Sequence, residues 1–198
     1  MTVEGLQLTH KDHSWTYYGR KAPSVTQALA RYNDLNYVDP RVLEASSEFG
    51  KHVHLGVHLY NMGTLNYATL DGYLVPYIRG WEKFLDEWGA TPVESEVSVY
   101  SKTLNYAGIL DTILSFNDKS FDALVDVKTG TSVPKTVGPQ TAGYAHAHKE
   151  MNGGKLLRRY CVHLKQDGFA LHKLNDPQDW DIFKAALLLH QWDNKEYT

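Results

Sequence analysis

The sequence is poor in cysteine, lacks long apolar runs and carries little excess charge. Cys161 is the only cysteine among 198 residues, which excludes an internal disulfide framework, a thiolate zinc cluster and a cysteine-ligated iron–sulfur cluster. Any bound metal must therefore use oxygen or imidazole ligands. No apolar run approaches the roughly 20 residues of a membrane-spanning helix, so we expect no membrane partner.

Targeting and energy-coupling motifs are also missing. Residues 1–13 show neither the basic and apolar pattern of a secretory signal nor the acid-poor pattern of a transit peptide, which predicts an intracellular location. A P-loop of the form GxxxxGK[ST] is absent, so no ATP-driven helicase is expected on this chain. Internal repeats and low-complexity segments are absent too, and the length suits one domain.

The chain does contain a local imbalance of charge beneath its formal net charge of −3. Residues 71–126 hold ten acidic and four basic side chains, whereas residues 149–173 hold six Lys or Arg against Glu150 and Asp167. The net charge argues against a broadly basic nucleic-acid coat. The acidic middle suits cations, and the basic flank suits phosphates.

Hydrophobic periodicity predicts an α/β (α+β) fold with a central mixed sheet flanked by helices. Helices are expected at 22–29, 40–62, 70–88, 136–151 and 176–192, and strands at 93–101, 106–116, 121–129, 158–164 and 169–174. Pro76 is expected either to kink its helix or to mark the true first turn. The single domain then comprises an N-terminal helical part (about 22–90), a sheet core (about 93–175) and a C-terminal helix (about 176–192).

Acidic side chains and one lysine are concentrated on three neighbouring predicted strands. Asp126 and Lys128 are two residues apart after an apolar run, so both side chains point to one face of their strand. Asp111 interrupts the preceding apolar strand and needs a partner for its charge. One strand earlier, Glu94 and Glu96 are expected to point in a common direction and to converge on the same place.

This combination of groups suits the hydrolysis of a phosphodiester. That reaction needs a water deprotonated near neutral pH, neutralisation of charge on the phosphorus and stabilisation of the leaving alkoxide. Carboxylate oxygens hold Mg²⁺ or Mn²⁺ for these tasks, and a lysine beside the metal orients the water. The pattern accommodates either one or two ions.

Five motifs follow one another along the chain in the order of a known family. They are Gly50 to His54 (Gly-x-x-x-His), Glu96, the GILD segment ending in Asp111, residues 126–130 (Asp-Val-Lys-Thr-Gly) and Gln140 to Tyr144 (Gln-x-x-x-Tyr). Together they resemble the PD-(D/E)XK nuclease superfamily, in particular its RecB-like exonuclease branch. The resemblance covers roughly residues 23–144.

The resemblance implies a restriction-endonuclease-like core and a metal-dependent deoxyribonuclease, in the first place an exonuclease. The opening APSVT segment (22–26) is likewise similar to phage-encoded exonucleases, a group that includes the mitochondrial genome maintenance exonuclease. The implied partners are single- or double-stranded DNA ends and a recombination or single-strand-binding protein. Phage or prophage DNA processing in a bacterial host cytoplasm follows as an expectation.

The roles of individual residues carry over from the same resemblance. Glu96 is preferred to Glu94 because its spacing to the following Val-Tyr-Ser resembles that branch. The implied metal ligands are His54, Glu96, Asp111, Asp126 and the Val127 carbonyl. Lys128 would position the water, and Gln140 and Tyr144 would support the substrate.

Several alternatives remain open at the level of sequence. Lys135, Arg158 and Arg159 are candidate phosphate contacts, or else ordinary surface residues. His54 and His58 lie one helical turn apart and would also suit a zinc pair. An endonuclease acting on flapped or branched DNA would share the site, and a non-catalytic DNA-binding or assembly module would share the fold.

Overall fold

The computed structural model describes residues 4–9, 14–33, 38–116, 121–166 and 168–195. The helices are α1 (Val25–Leu29), α2 (Pro40–Asn61), α3 (Val75–Glu87), α4 (Val137–Asn152) and α5 (Asp179–Asp193). The strands are β1 (Leu6–Thr9), β2 (Ser14–Tyr17), β3 (Arg20–Ala22), β4 (Thr91–Ser101), β5 (Tyr106–Ser115), β6 (Asp122–Lys128), β7 (Arg158–Lys165) and β8 (Gly168–Lys173). None of the described helices is long and apolar enough to span a bilayer.

A five-stranded mixed sheet forms the centre of the fold, in the order β4-β5-β6-β7-β8. Strands β6 and β7 run parallel and are joined by α4, whereas the other neighbouring pairs are antiparallel. Helices α1, α4 and α5 pack on one face of this sheet and α2 and α3 on the other. The predicted mixed sheet flanked by helices is confirmed.

Helix starts follow from local capping chemistry. Ser24 caps α1 and exchanges hydrogen bonds with Gln27 in a capping box. Asp39 caps α2, with Pro40 in the first turn. Pro76 likewise stands in the first turn of α3, so the prediction that this helix begins near residue 70 is wrong by one turn.

The aromatic stripe of α3 provides much of the core on its face of the sheet. Trp81 and Phe84 are fully buried against apolar residues of the sheet, and the Trp81 indole N–H donates to Asn61 Oδ1 at 2.9 Å. Tyr73 and Trp88, at the two ends of the predicted stripe, are exposed because they lie outside the helix. The stripe is therefore core only over the helix itself.

A second, three-stranded antiparallel sheet, β1-β2-β3, was not predicted from the sequence. It packs on the end of the β4–β5 hairpin through Trp15, Ala22, Tyr100 and Ala107. Strands of three or four residues are too short to produce a clear alternating pattern. The small sheet thus adds a layer beside the predicted core.

Glu150 ties α4 to the hairpin between β4 and β5. Its carboxylate accepts hydrogen bonds from the Ser101 hydroxyl at 2.6 Å and from the Thr103 N–H and hydroxyl at 2.9 Å each. Burial would raise the pKa of Glu150, but these hydrogen bonds outweigh it and lower the pKa. The ionised carboxylate is therefore the form that stabilises the fold.

We expect Glu150→Gln to lower the free energy of unfolding by about 1 kcal/mol at pH 7. A depressed folded-state pKa contributes stability above the unfolded value, so the difference should begin to shrink below about pH 4.3 and be lost as pH falls through the lower folded-state pKa. Urea unfolding of both proteins across this range measures it. An equal difference at pH 7 and pH 3 would contradict the role of the charge.

Candidate functional site

The candidate site begins where β5 and β6 separate. Backbone pairing between these strands ends at Thr112 and Val125. Beyond that point Asp111 Oδ2 accepts the Val127 N–H at 2.7 Å, so a side-chain carboxylate takes the place of a strand carbonyl. This contact fixes Asp111 in the gap between the two strand ends.

Two further ligand groups lie beside Asp111. His54 Nδ1, from the buried side of α2, is 3.5 Å from Asp111 Oδ1. Glu96 on β4 lies opposite Asp111 on β5, between the backbone pairs Ser95–Thr112 and Val97–Leu110. One ligand atom from each of His54, Glu96 and Asp111 lies within 4.8 Å of the others, which is compact enough to surround one cation. We call these three residues the ligand cluster.

Glu96 reaches the cluster because of an unusual backbone conformation. Its φ of 54° is in the left-handed region, which a non-glycine residue adopts only at a cost of about 1–3 kcal/mol. Such strain interrupts the regular alternation of side chains along β4. Backbone strain of this kind concentrates at functional sites, so it supports a functional interpretation of the cluster.

Glu94 does not join Glu96, contrary to the expectation that both point in one direction. Burial lowers the pKa of His148 on α4, and the charge of Glu94 opposes this shift, which places Glu94 near the opposite face of the sheet. Ser95, between the two glutamates, faces α2, where its hydroxyl lies 2.9 Å from His58 Nδ1. The structure thus separates the two candidates for the first motif.

Asp126 and Lys128 form an ion pair next to the cluster, as their spacing predicted. Lys128 Nζ is 2.6 Å from Asp126 Oδ2, and Gln140 Nε2 donates to the other carboxylate oxygen at 3.1 Å. Asp126 is 1% exposed, whereas the Lys128 side chain keeps 23% of its surface accessible. The lysine side chain is therefore partly accessible, whereas the aspartate is buried.

Both oxygens of the buried Asp126 carboxylate have a partner within the protein. Oδ1 accepts from Gln140 Nε2, and Oδ2 lies 2.6 Å from the Lys128 ammonium. Because a buried carboxylate is stable only when it is paired, these contacts fix Asp126 and Lys128 beside the ligand cluster.

The pKa values describe a crowded and partly desolvated set of acids. Asp111 raises the pKa of His54 to about 9 against the effect of burial. Burial, helped by the charge of Asp111, raises the pKa of Glu96 to about 7. Burial also raises the pKa of Asp126 to about 6, although Lys128 opposes the shift. More negative charge converges here than the two basic groups neutralise well, which again favours a cation.

The two helical residues of the predicted Gln-x-x-x-Tyr motif support the site differently. Gln140 contacts Asp126 directly. Tyr144 is 4% exposed and packs against Gly108, where an added Cβ would overlap its ring. Burial, followed by the charges of Asp111 and Asp126, raises the pKa of Tyr144. The tyrosine is therefore part of the wall beneath the carboxylates and is too buried to contact substrate broadly.

Two of the three candidate phosphate contacts are engaged in contacts within the protein. Arg159 donates to Asp179 Oδ2 at 2.9 Å and to the Gly138 carbonyl at 2.7 Å, so its guanidinium is a structural link to α5. The Arg158 guanidinium stacks over the Phe121 ring at 3.7 Å. Its backbone pairs with Ala123 near the start of β6, whereas Lys128 is at the other end of that strand. Lys135 is exposed before α4, and its role as a phosphate contact stays a prediction.

A zinc pair of His54 and His58 is not favoured by the geometry. His58 contacts Ser95 and is not in the ligand cluster, which supplies one imidazole and two carboxylates. The His58–Ser95 contact was not predicted from the sequence. Two features could have indicated it: Ser95 lies between two glutamates, and His58 follows His54 by one helical turn. Oxygen-rich donor sets suit Mg²⁺ or Mn²⁺ better than zinc.

Two cavities flank the exposed side of α2 and open the site to solvent. The first, of about 590 Å³, is lined by the ligand cluster and by residues such as Ser46 and Lys51. The second, of about 740 Å³, is also lined by Ser46 and extends to Tyr77 and to residues 129–131 after Lys128. The two cavities share Ser46 and therefore adjoin each other; we call them together the groove, and its first part borders the ligand cluster.

Comparisons with known proteins add little to this geometry. No family model matches the chain, and no curated protein matches it. A solved structure titled "Crystal structure of SSO0001" is similar with a TM-score of 0.41 and 17% identity, over 87% of this chain and 76% of that chain. Similarity at this level supports no functional argument.

We expect Glu96→Gln to weaken Mn²⁺ binding at least tenfold, because it removes a ligand charge from the cluster. The matched variant Glu94→Gln changes the same residue type two positions away and should bind Mn²⁺ like the wild type. Isothermal titration calorimetry with MnCl₂ measures both affinities. Equal losses in the two variants would show that the cluster has been assigned to the wrong glutamate.

Proposed function

We propose that the protein is a Mg²⁺- or Mn²⁺-dependent deoxyribonuclease of the PD-(D/E)XK superfamily that hydrolyses phosphodiester bonds. One observation supports this most strongly. The Asp111 carboxylate accepts a hydrogen bond from the Val127 N–H. Asp111 thus lies between the Asp126–Lys128 ion pair and the other two members of the ligand cluster, His54 and Glu96. Carboxylates and a lysine thus meet where two strands separate, beside an open groove.

The residues present fit a divalent cation. The ligand cluster, with Asp126 and the Val127 carbonyl close by, would hold it. When bound, such a cation lowers the pKa of a coordinated water and offsets charge on a phosphate. The fit rests on the short distances between the ligand atoms of the cluster and on its two carboxylates.

The protein's own groups would then perform distinct tasks. Lys128 stays protonated, since its acidic neighbours Asp126 and Asp111 raise its pKa against the effect of burial. As an ammonium it donates hydrogen bonds, so it orients the attacking water and stabilises negative charge on the phosphate. Gln140 holds Asp126 in place through its amide N–H, and Tyr144 supports the floor of the site.

The preferred reaction is removal of nucleotides from DNA ends during phage or prophage DNA processing in a host bacterial cytoplasm. The groove beside α2 accommodates a strand, and a recombination or single-strand-binding protein is the expected partner. This part of the proposal relies on the motif resemblance, since a flap endonuclease would use the same residues.

Substrate topology separates the two activities. We expect purified protein with Mg²⁺ or Mn²⁺ to degrade linear DNA and to leave covalently closed circular DNA of the same sequence intact. EDTA should stop the reaction. Efficient cutting of the closed circle would instead assign the site to an endonuclease, and inactivity on every DNA with either metal would favour a non-catalytic DNA-binding module.

A further inference from the structure

We propose that the hairpin joining β2 to β3 carries a binding surface for single-stranded DNA, separate from the ligand cluster. We call it the tyrosine surface and define it as Tyr17, Tyr18, Arg20 and Lys102. The proposal rests on the proposed function, because it takes DNA as the ligand of this protein. It is supported by ring geometry, exposure, backbone conformation and charge.

Three tyrosine rings form a continuous row on this surface. Tyr17 stacks on Tyr100 with ring centroids 4.2 Å apart and 25° between the planes. Tyr18 meets Tyr17 edge-on at 4.7 Å. Lys102 Nζ lies 5.8 Å from the centre of the Tyr17 ring, so a cation borders the row. Tyr100 is buried and anchors the row to β4.

Tyr18 occupies a position that ordinary turn chemistry does not favour. It has a φ of 45° and is followed by Gly19 with a φ of 80°, the conformation of a two-residue hairpin turn in which Asn-Gly is preferred. The side chain is 67% exposed, with its ring lying over Gly5. A bulky aromatic residue is thus held ordered and accessible at the expense of backbone strain.

The cations of the tyrosine surface are available to an anionic ligand. Arg20 pairs across the strands with Tyr17, and neither Arg20 nor Lys102 forms an ion pair with a described residue. Burial raises the pKa of the Tyr100 hydroxyl while Arg20 and Lys102 oppose the shift, which shows that both cations converge there. Of the nearby acids, Glu150 is engaged by the hydroxyl groups of Ser101 and Thr103, and Glu4 lies beside Gly5.

The exposed Tyr18 ring, next to the half-buried Tyr17 ring and bordered by cations, matches the chemistry of single-stranded nucleic acid. Bases stack on the rings without regard to sequence, and phosphates pair with the cations. Duplex DNA would present only its phosphates, since its bases are already stacked. The row of rings therefore favours a single strand over a duplex.

The tyrosine surface adjoins the ligand cluster. Ile109 packs against the core beneath the small sheet and also lines the cavity at Asp111. Tyr100 lies four residues from Glu96 along β4, or about 13 Å at 3.3 Å per residue. About four stacked nucleotides span that distance at 3.4 Å each, so only a few nucleotides separate the buried anchor of the row from the ligand cluster.

Equilibrium binding of fluorescein-labelled dT20 in EDTA, read by fluorescence anisotropy, tests the surface without cleavage. Tyr18→Asn removes the ring but installs the residue that this turn prefers, so the hairpin stays folded. We expect it to weaken binding about 5- to 100-fold. The double variant Arg20→Gln/Lys102→Gln should reduce the slope of log K against log salt by about 1.4.

Two matched controls change an exposed aromatic and an exposed cation elsewhere, Trp192→Ala on α5 and Lys173→Gln on β8. Both should bind dT20 like the wild type. The proposal is overturned if the wild type does not bind dT20, if Tyr18→Asn binds normally, or if the controls lose as much. Because the assay excludes divalent metal, a wild type that binds but never cleaves would refute the nuclease proposal and leave the binding surface standing.

Discussion

Replacing Lys128 by alanine is expected to lower the single-turnover rate of metal-dependent DNA cleavage by about 10²- to 10³-fold. The ammonium lies 2.6 Å from Asp126 Oδ2, and the lysine side chain is 23% exposed. Its loss removes the donor that would orient the water and offset charge on the phosphate. DNA affinity in EDTA should change little, since one of several phosphate contacts is lost.

Lys128→Ala also leaves Asp126 buried without its cation, so stability must be measured with activity. Burial already raises the pKa of Asp126 to about 6, and the variant carboxyl is expected to become protonated near neutral pH, which limits the loss of stability. Lys173→Ala on β8 provides an exposed control that should cleave at close to the wild-type rate. Full cleavage by a folded Lys128→Ala protein would contradict the assigned role.

Arg159→Ala should have the largest effect on stability, lowering the free energy of unfolding by about 3–5 kcal/mol. The guanidinium and the Asp179 carboxylate are 11% and 8% exposed, so removing the arginine leaves a buried unpaired charge. The same change deprives the Gly138 carbonyl of a donor. Urea unfolding monitored by tryptophan fluorescence measures the loss.

Arg31→Ala is the matched control, because Arg31 also pairs with an aspartate, Asp193, at 2.9 Å. The Arg31 and Asp193 side chains are 53% and 42% exposed, so the expected change in the free energy of unfolding is less than about 1 kcal/mol. An Arg159→Ala protein with wild-type stability and greatly weakened DNA binding would restore the interpretation of Arg159 as a phosphate contact.

The parts of the site that lie on regular strands were predictable from sequence. Alternation along β6 places Asp126 and Lys128 on one face, and an aspartate in an apolar strand needs a partner, which Asp111 finds in His54 and the Val127 N–H. Helical spacing likewise places Gln140 over Asp126. These positions were predictable because the periodic pattern of a strand or helix repeats over several residues of the sequence.

Features set by a single dihedral angle or by distant packing were not predictable. Glu96 and Glu94 point in different directions because Glu96 adopts a positive φ. The hydrophobic pattern of a sequence does not reveal a single dihedral angle. Arg159 pairs with an aspartate at the start of α5, a contact that depends on how α5 docks. Tyr18 lies in the turn of a small sheet whose strands have only three or four residues. Strands this short show no alternating pattern from which they could be predicted.

The central claim is that the ligand cluster supports metal-dependent hydrolysis of DNA. Single-turnover cleavage of a 5′-labelled linear duplex, with a 5′-labelled single strand in parallel, tests it most directly in wild type, Asp111→Asn and Glu94→Gln. We predict Mn²⁺-dependent cleavage that Glu94→Gln retains and that Asp111→Asn loses by at least about 10³-fold. Cleavage by Asp111→Asn at the wild-type rate, cleavage that persists in EDTA, or no cleavage by the wild type would contradict the claim.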